Sequence, residues 1–93
     1  MNLRQDQRFL RGLKGRPDTE LAEVLAATRR AAAGFGFPHQ HAGLGLRGLA
    51  LGFYECRAGL NLRLVFERDG PDLIFTFAGT HDEVRAFLKN RRR

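Results

Sequence analysis

Between Phe53 and Phe77 the chain passes through three short stretches in which apolar and polar side chains alternate, each divided from the next by a turn signal. Side chains of a strand point alternately to opposite faces, so this pattern fixes both the element type and its sidedness. In residues 53–57, Tyr54 and Cys56 share one face and Phe53, Glu55 and Arg57 the other. In residues 60–66, Leu62, Leu64 and Phe66 oppose Asn61, Arg63 and Val65; in residues 73–77, Leu73, Phe75 and Phe77 oppose Ile74 and Thr76. Ala58-Gly59 and Arg68-Asp69-Gly70-Pro71-Asp72 supply the glycine and proline chemistry of hairpin turns. The expectation is an antiparallel meander, greasy on one side, that shows Glu55, Arg57, Asn61, Arg63 and Thr76 on an open second side.

After Gly79 the period changes. Thr80-His81-Asp82-Glu83 fits a capping box, in which a hydroxyl and a carboxylate satisfy each other's free amides at a helix start. Val84, Phe87 and Leu88 follow at i, i+3 and i+4, a stripe for packing on a sheet. His81, Arg85, Lys89 and Arg92 form a separate basic stripe, with His81 in the first turn.

Toward the N-terminus, Met1 to Gln5 can give at most a short edge strand. Asp6 is placed to cap a helix that carries Phe9, Leu10 and Leu13 and ends near Gly15. A longer helix starts at Asp18 or Thr19, with Leu21, Val24, Leu25 and Thr28 on one face, and stops at Gly34 or Gly36. The glycine-rich stretch from Phe37 to Leu51 reads as an extended, irregular connection. The expected fold class is therefore α+β: an N-terminal helical hairpin packed on a small antiparallel sheet with a short C-terminal helix, all one domain over residues 1–93.

A formal net charge of +6 points to an acidic partner, nucleic acid before others. The densest basic run is the terminal Lys89-Asn90-Arg91-Arg92-Arg93. Cys56 is the single cysteine, so no internal disulfide can form, and a reducing cytoplasm is the expected location. No stretch is apolar enough to span a bilayer, and the N-terminus has no signal-peptide core.

His39-x-His41 with His81 makes a three-histidine zinc set on paper, yet no thiolate stands at a recognisable spacing, and neither metal nor cofactor is expected. Gly43 to Gly48 lacks the lysine of a phosphate-binding loop and precedes a strand. There is no serine for a nucleophilic triad. What remains is a basic site with a histidine: Arg57, Arg63, His81 and Arg85 around one sheet edge, arginine being suited to bidentate phosphate contacts. RNA can be cut without metal if a base takes the 2′-hydroxyl proton, a cation stabilises the pentacoordinate phosphate and an acid protonates the leaving oxygen.

The stretches Gly52 to Phe66 and Asp72 to Val84, with their Glu55-Cys56-Arg57, Asn61-Leu62-Arg63-Leu64-Val65-Phe66 and Gly79-Thr80-His81-Asp82-Glu83-Val84 motifs, resemble the RelE/ParE toxin superfamily, especially its RelE and YafQ branches. The resemblance implies a metal-independent endoribonuclease that cuts mRNA at the ribosome, without cofactor, and is inhibited by a cognate antitoxin protein. By position, Arg57 and Arg63 take phosphate-binding and transition-state roles, and His81 matches a general acid or base. Asn61, Lys89, Arg91, Arg92, His39 and His41 are the expected RNA contacts, and His39 and His41 are also the candidates for a second histidine. Arg57 stands where the YafQ branch has histidine, Asn61 where it has aspartate, and Arg85 where an aromatic residue is usual. Two alternatives stay open: a ParE-like inhibitor of DNA gyrase, and a catalytically inactive binding member of the fold.

Overall fold

Asp6 ends the first strand and starts the first helix. Its backbone is extended and its Oδ1 accepts the Phe9 amide at 2.9 Å, which satisfies one of the free donors of the first turn. The computed structural model describes residues 1–91, and these begin with strand β1 (Asn2–Gln5) and helix α1 (Gln7–Leu13). Helix α2 (Asp18–Gly34) opens with Asp18 and Glu20, acidic groups at the positive end of the helix dipole. Its buried side is Val24, Ala27, Thr28, Ala31 and Ala32, the i, i+3, i+4, i+7 pattern of a narrow stripe. Leu25, expected on that side, is exposed. Small side chains let α2 lie close to the sheet.

The glycine-rich stretch is not an irregular connection. It contains helix α3 (Pro38–Leu44), the two-residue strand β2 (Arg47–Gly48) and one 3-10 turn at Ala50–Gly52. Pro38 stands in the first turn, where its missing N–H costs nothing, and Gly45 caps the end with φ +63°. Proline just inside the start and glycine just past the end delimit a helix even where the composition reads as loop.

Strands β3 (Phe53–Ala58), β4 (Leu62–Asp69) and β5 (Asp72–Gly79) form the expected meander, and helix α4 (His81–Arg91) follows. The sheet order is β1-β5-β4-β3-β2. It is mixed, not purely antiparallel, because β1 joins β5 in parallel.

The sheet is greasy on both faces: Phe53 and Val65 lie on the second, and a bulge adds Phe77 to them. Val65 pairs with Phe77 and Phe66 with Phe75, so Thr76 is an extra residue whose hydroxyl donates to the Val65 carbonyl at 3.4 Å. Beyond it the alternation of β5 is reversed, and Phe77 turns away from Leu73 and Phe75. On the hairpin side lie Phe9, Val24, Ala31, Cys56, Leu62, Leu64, Phe66, Leu73 and Phe75. On the other side Phe53, Val65, Val84 and Phe87 form a second cluster with Phe77 and Leu88. The predicted stripe of the last helix thus does pack on the sheet, but on the side expected to be open.

Candidate functional site

With α4 folded over part of that face, the uncovered part is the end of the sheet next to the start of α4. Arg57 on β3 is paired with Arg63 on β4, and Arg63 with Gly79 on β5. The three positions form one row across three strands, and His81 opens α4 two residues after Gly79. Neighbouring strands are about 4.8 Å apart, so a row of this kind gathers groups distant in sequence within a span of about 10 Å.

Under the row lies a buried carboxylate. Glu55 is 1% exposed and accepts from Arg47 Nε on β2, while Arg63 Nη1 stands 3.9 Å from the same oxygen. A carboxylate taken out of water must be paired, so both guanidiniums are held toward it. Arg63 is about a quarter exposed and has five N–H donors, most of them left for another acceptor. Glu55 was expected on the open face; it is instead buried beside Arg47, its pairing partner on β2, and Arg63. Arg47 carried no signal beyond the short alternation of Leu46-Arg47-Gly48-Leu49, hidden among glycines.

The capping box forms as expected: the Thr80 amide donates to Glu83 Oε1 at 2.8 Å, and the Glu83 amide donates to Thr80 Oγ1 at 3.3 Å. These two bonds hold the first turn of α4, and with it His81, at the end of the row. The bond from the Thr80 backbone amide, and then that with its hydroxyl, lower the Glu83 carboxyl below its ordinary value. A lowered carboxyl stabilises the fold above its unfolded value of about 4.3 and loses that contribution as the pH falls through its lower, folded value. Glu83→Ala is therefore expected to cost about 0.5–1 kcal/mol at neutral pH, with the difference from the parent vanishing in acid, as thermal melts at several pH values would read.

No protein-family model matches the chain. Nor does any curated protein sequence. Solved structures do. The RelB–RelE antitoxin–toxin complex from Methanococcus jannaschii is similar over 90% of this chain and 96% of that one, with TM-score 0.67 and 15% identity. The chain has the RelE-like toxin fold. YafQ from E. coli shares it over 89% of this chain and 96% of its own, with TM-score 0.62 and 13% identity. A conserved hypothetical protein from Helicobacter pylori shares it over 90% and 98%, with TM-score 0.62 and 22% identity.

Within this RelE-like fold the residues singled out from sequence fall into three groups. Arg57 and Arg63 share the row, the exposed His81 starts α4 two residues past the row's Gly79 end, and Arg85 and Lys89 follow His81 on exposed positions of α4. Others lie elsewhere. Asn61 stands in the β3–β4 turn and lines a hollow with Glu20 and Glu23 of α2, because the strand starts only at Leu62. Arg91 lies over the Phe87 ring at 5.0 Å, on the side of α4 where Arg8 also meets that ring. His39 and His41 belong to α3, which packs on α2; His41 stacks on Phe35 with centroids 6.1 Å apart, and His39 meets Phe37 edge-on. Arg92 lies outside the described residues. Among the described residues no three His, Cys, Asp or Glu side chains are grouped to hold a metal ion. Cys56 is buried, and burial pushes its thiol up to about 12, so it is a core residue and not a nucleophile. No helix of the described residues is long and apolar enough to cross a membrane.

Proposed function

We propose that this chain is the toxin of a type II toxin–antitoxin pair, a single-domain, metal-independent endoribonuclease that cleaves mRNA at the ribosome in the cytoplasm. The observation that carries the reading is the row: two arginines paired across β3 and β4 and a histidine at the helix start beside them. In the reaction the 2′-oxygen bonds to the adjacent phosphorus while the bond to the 5′-oxygen breaks. One proton leaves the 2′-hydroxyl and another reaches the departing 5′-oxygen, giving a 2′,3′-cyclic phosphate and a 5′-hydroxyl. His81 serves one of these transfers. Arg63, anchored by Glu55, faces the charge that builds on the reacting phosphate, and Arg57, one strand further along, binds the phosphate backbone. Arg85 and Lys89 hold further phosphates along the strand.

Preorganisation gives Arg63 its value here. A guanidinium fixed before the substrate arrives needs no reorganisation when the charge develops. Antitoxin binding as the means of control is supported by the Methanococcus neighbour, which is an antitoxin–toxin complex.

Induced expression followed by mapping of mRNA 5′ ends tests the reading. Cuts within translated codons, unaffected by a metal chelator in a purified translation reaction and reduced about 10²–10³-fold by Arg63→Ala at a temperature where a melt shows that variant still folded, are the expected result. A DNA-damage response with intact mRNA would instead assign the chain to gyrase inhibition and overturn the nuclease reading.

A further inference from the structure

Beside the row, at the edge of the sheet, is a polar hollow of about 240 Å³ that shares only Arg57 with the site described above. Its walls are Arg30 of α2, Arg57 of β3, the Gly43–Gly45 turn after α3, and Gly59. Arg57 lies flat against Gly45: a Cβ there would come within 2.7 Å of its Nε and 2.9 Å of its Cγ. Gly45 also has φ +63°, so glycine at this position serves both the turn and the seat of the arginine.

Two guanidiniums face this space without a counter-charge of their own. Among the described residues neither Arg30 nor Arg57 takes part in an ion pair or a side-chain hydrogen bond, whereas Arg47 and Arg63 are both committed to Glu55. The Gly45 and Leu46 amides at the end of α3 are taken up by the Ala42 and His41 carbonyls, so the two guanidiniums are the donors left facing the hollow. Glu23 lies against Gly59 at one wall but pairs with neither arginine, and it lines a second hollow with Glu20 and Asn61. Two like charges converging on an open, glycine-walled space repel one another unless an anion enters between them, and a space of several water volumes admits a phosphate group.

We infer that Arg30 and Arg57, the latter held against Gly45, seat a backbone phosphate of the bound RNA next to the one being cut. The inference rests on the RNA-cleaving reading and refines it: Arg63 attends the reacting phosphate, and Arg57, one strand further along the row, belongs to its neighbour. Arg30 is thereby a substrate-binding residue on α2, outside the stretch that carries all the other site residues.

Two measurements test it. In the first, the arginine Nε–H and glycine amide signals are followed by NMR as inorganic phosphate is added. Saturable shifts confined to Arg30, Arg57, Gly43, Gly45 and Gly59, absent in Arg30→Gln, are expected; non-saturating shifts spread over all basic residues mean an adventitious ion only and overturn the site. In the second, binding of a 2′-O-methyl RNA, which cannot be cut, is measured against salt. Arg30→Gln should weaken binding about tenfold and flatten the plot of log Kd against log salt by about 0.7, the share of one single-strand phosphate. Gly45→Ala should weaken binding similarly at unchanged net charge, since it displaces Arg57. Wild-type RNA affinity in Arg30→Gln would overturn the inference even if phosphate binds. Because this RNA is not cleaved, that failure is separate from a failure of the nuclease reading, which the mapped mRNA ends decide.

Discussion

His81→Ala lowers the rate of RNA cleavage by about 10²–10⁴-fold and leaves the melting temperature within about 2 °C of the parent: this is the expected result, and the contrast between its halves is what makes it informative. A positioned proton donor or acceptor is worth that range in rate. The side chain is exposed, and the helix start is held by Thr80 and Glu83 and not by the imidazole, so nothing in the fold depends on it. Alanine also suits the first turn of a helix. Single-turnover cleavage beside a thermal melt reads both quantities. A loss below threefold with the fold intact would remove His81 from proton transfer, and a loss accompanied by unfolding would leave the chemistry unassigned to it.

Phe66→Ala is the structural counterpart and should cost about 3–5 kcal/mol. Phe66 is fully buried at the centre of an aromatic cluster: Phe75 at 4.9 Å, Tyr54 stacked at 5.7 Å and Phe35 edge-on at 6.0 Å, with Phe9 joined through Phe75 at 5.6 Å. This cluster ties α1 and the end of α2 to three strands, so the cavity left by the ring cannot collapse without moving several elements. A domain of this size has a total stability of about 5–14 kcal/mol, and a loss of this order consumes a large share of it. At about 4–8 °C per kcal/mol the melting point falls by at least about 12 °C. Leu60→Ala, at a turn position 98% exposed, is the control and should be silent within about 0.5 kcal/mol. A drop for Phe66→Ala no larger than the control's would mean that the hairpin-side cluster does not hold the sheet together.

The parts of this fold that were legible in the sequence are those governed by local chemistry. The Asp6 cap, the hairpin turns, the Thr80–Glu83 box and the Val84–Phe87–Leu88 stripe each depend on residues within a few positions of one another. That Arg57 and Arg63 share a face was legible as well, but their pairing was not: a turn at Ala58-Gly59 would set Arg57 opposite Leu60, whereas the turn extends to Asn61 and β4 starts only at Leu62. What failed was decided by contacts distant in sequence. The bulge at Thr76 leaves the alternation of Leu73, Phe75 and Phe77 intact on paper and reverses it in space. Burial of Glu55 goes with the pairing of β2 to β3, which sets Arg47 beside it and which the glycine-rich sequence of β2 does not announce. Helix α3 was hidden by its glycines, although Pro38 and Gly45 mark its ends. Arg30 gave no signal at all, since one exposed arginine on a helix is indistinguishable from any other until the sheet edge is built beside it.

The central claim is that Arg63 and His81 address one phosphate of an RNA strand. A crystal structure with an RNA blocked by 2′-O-methyl groups tests it most directly. The account predicts a single phosphate within hydrogen-bond distance of both the Arg63 guanidinium and the His81 imidazole, with the strand continuing toward Arg57. RNA lying along another surface, or a phosphate bound to Arg63 with His81 turned away from it, would contradict the account.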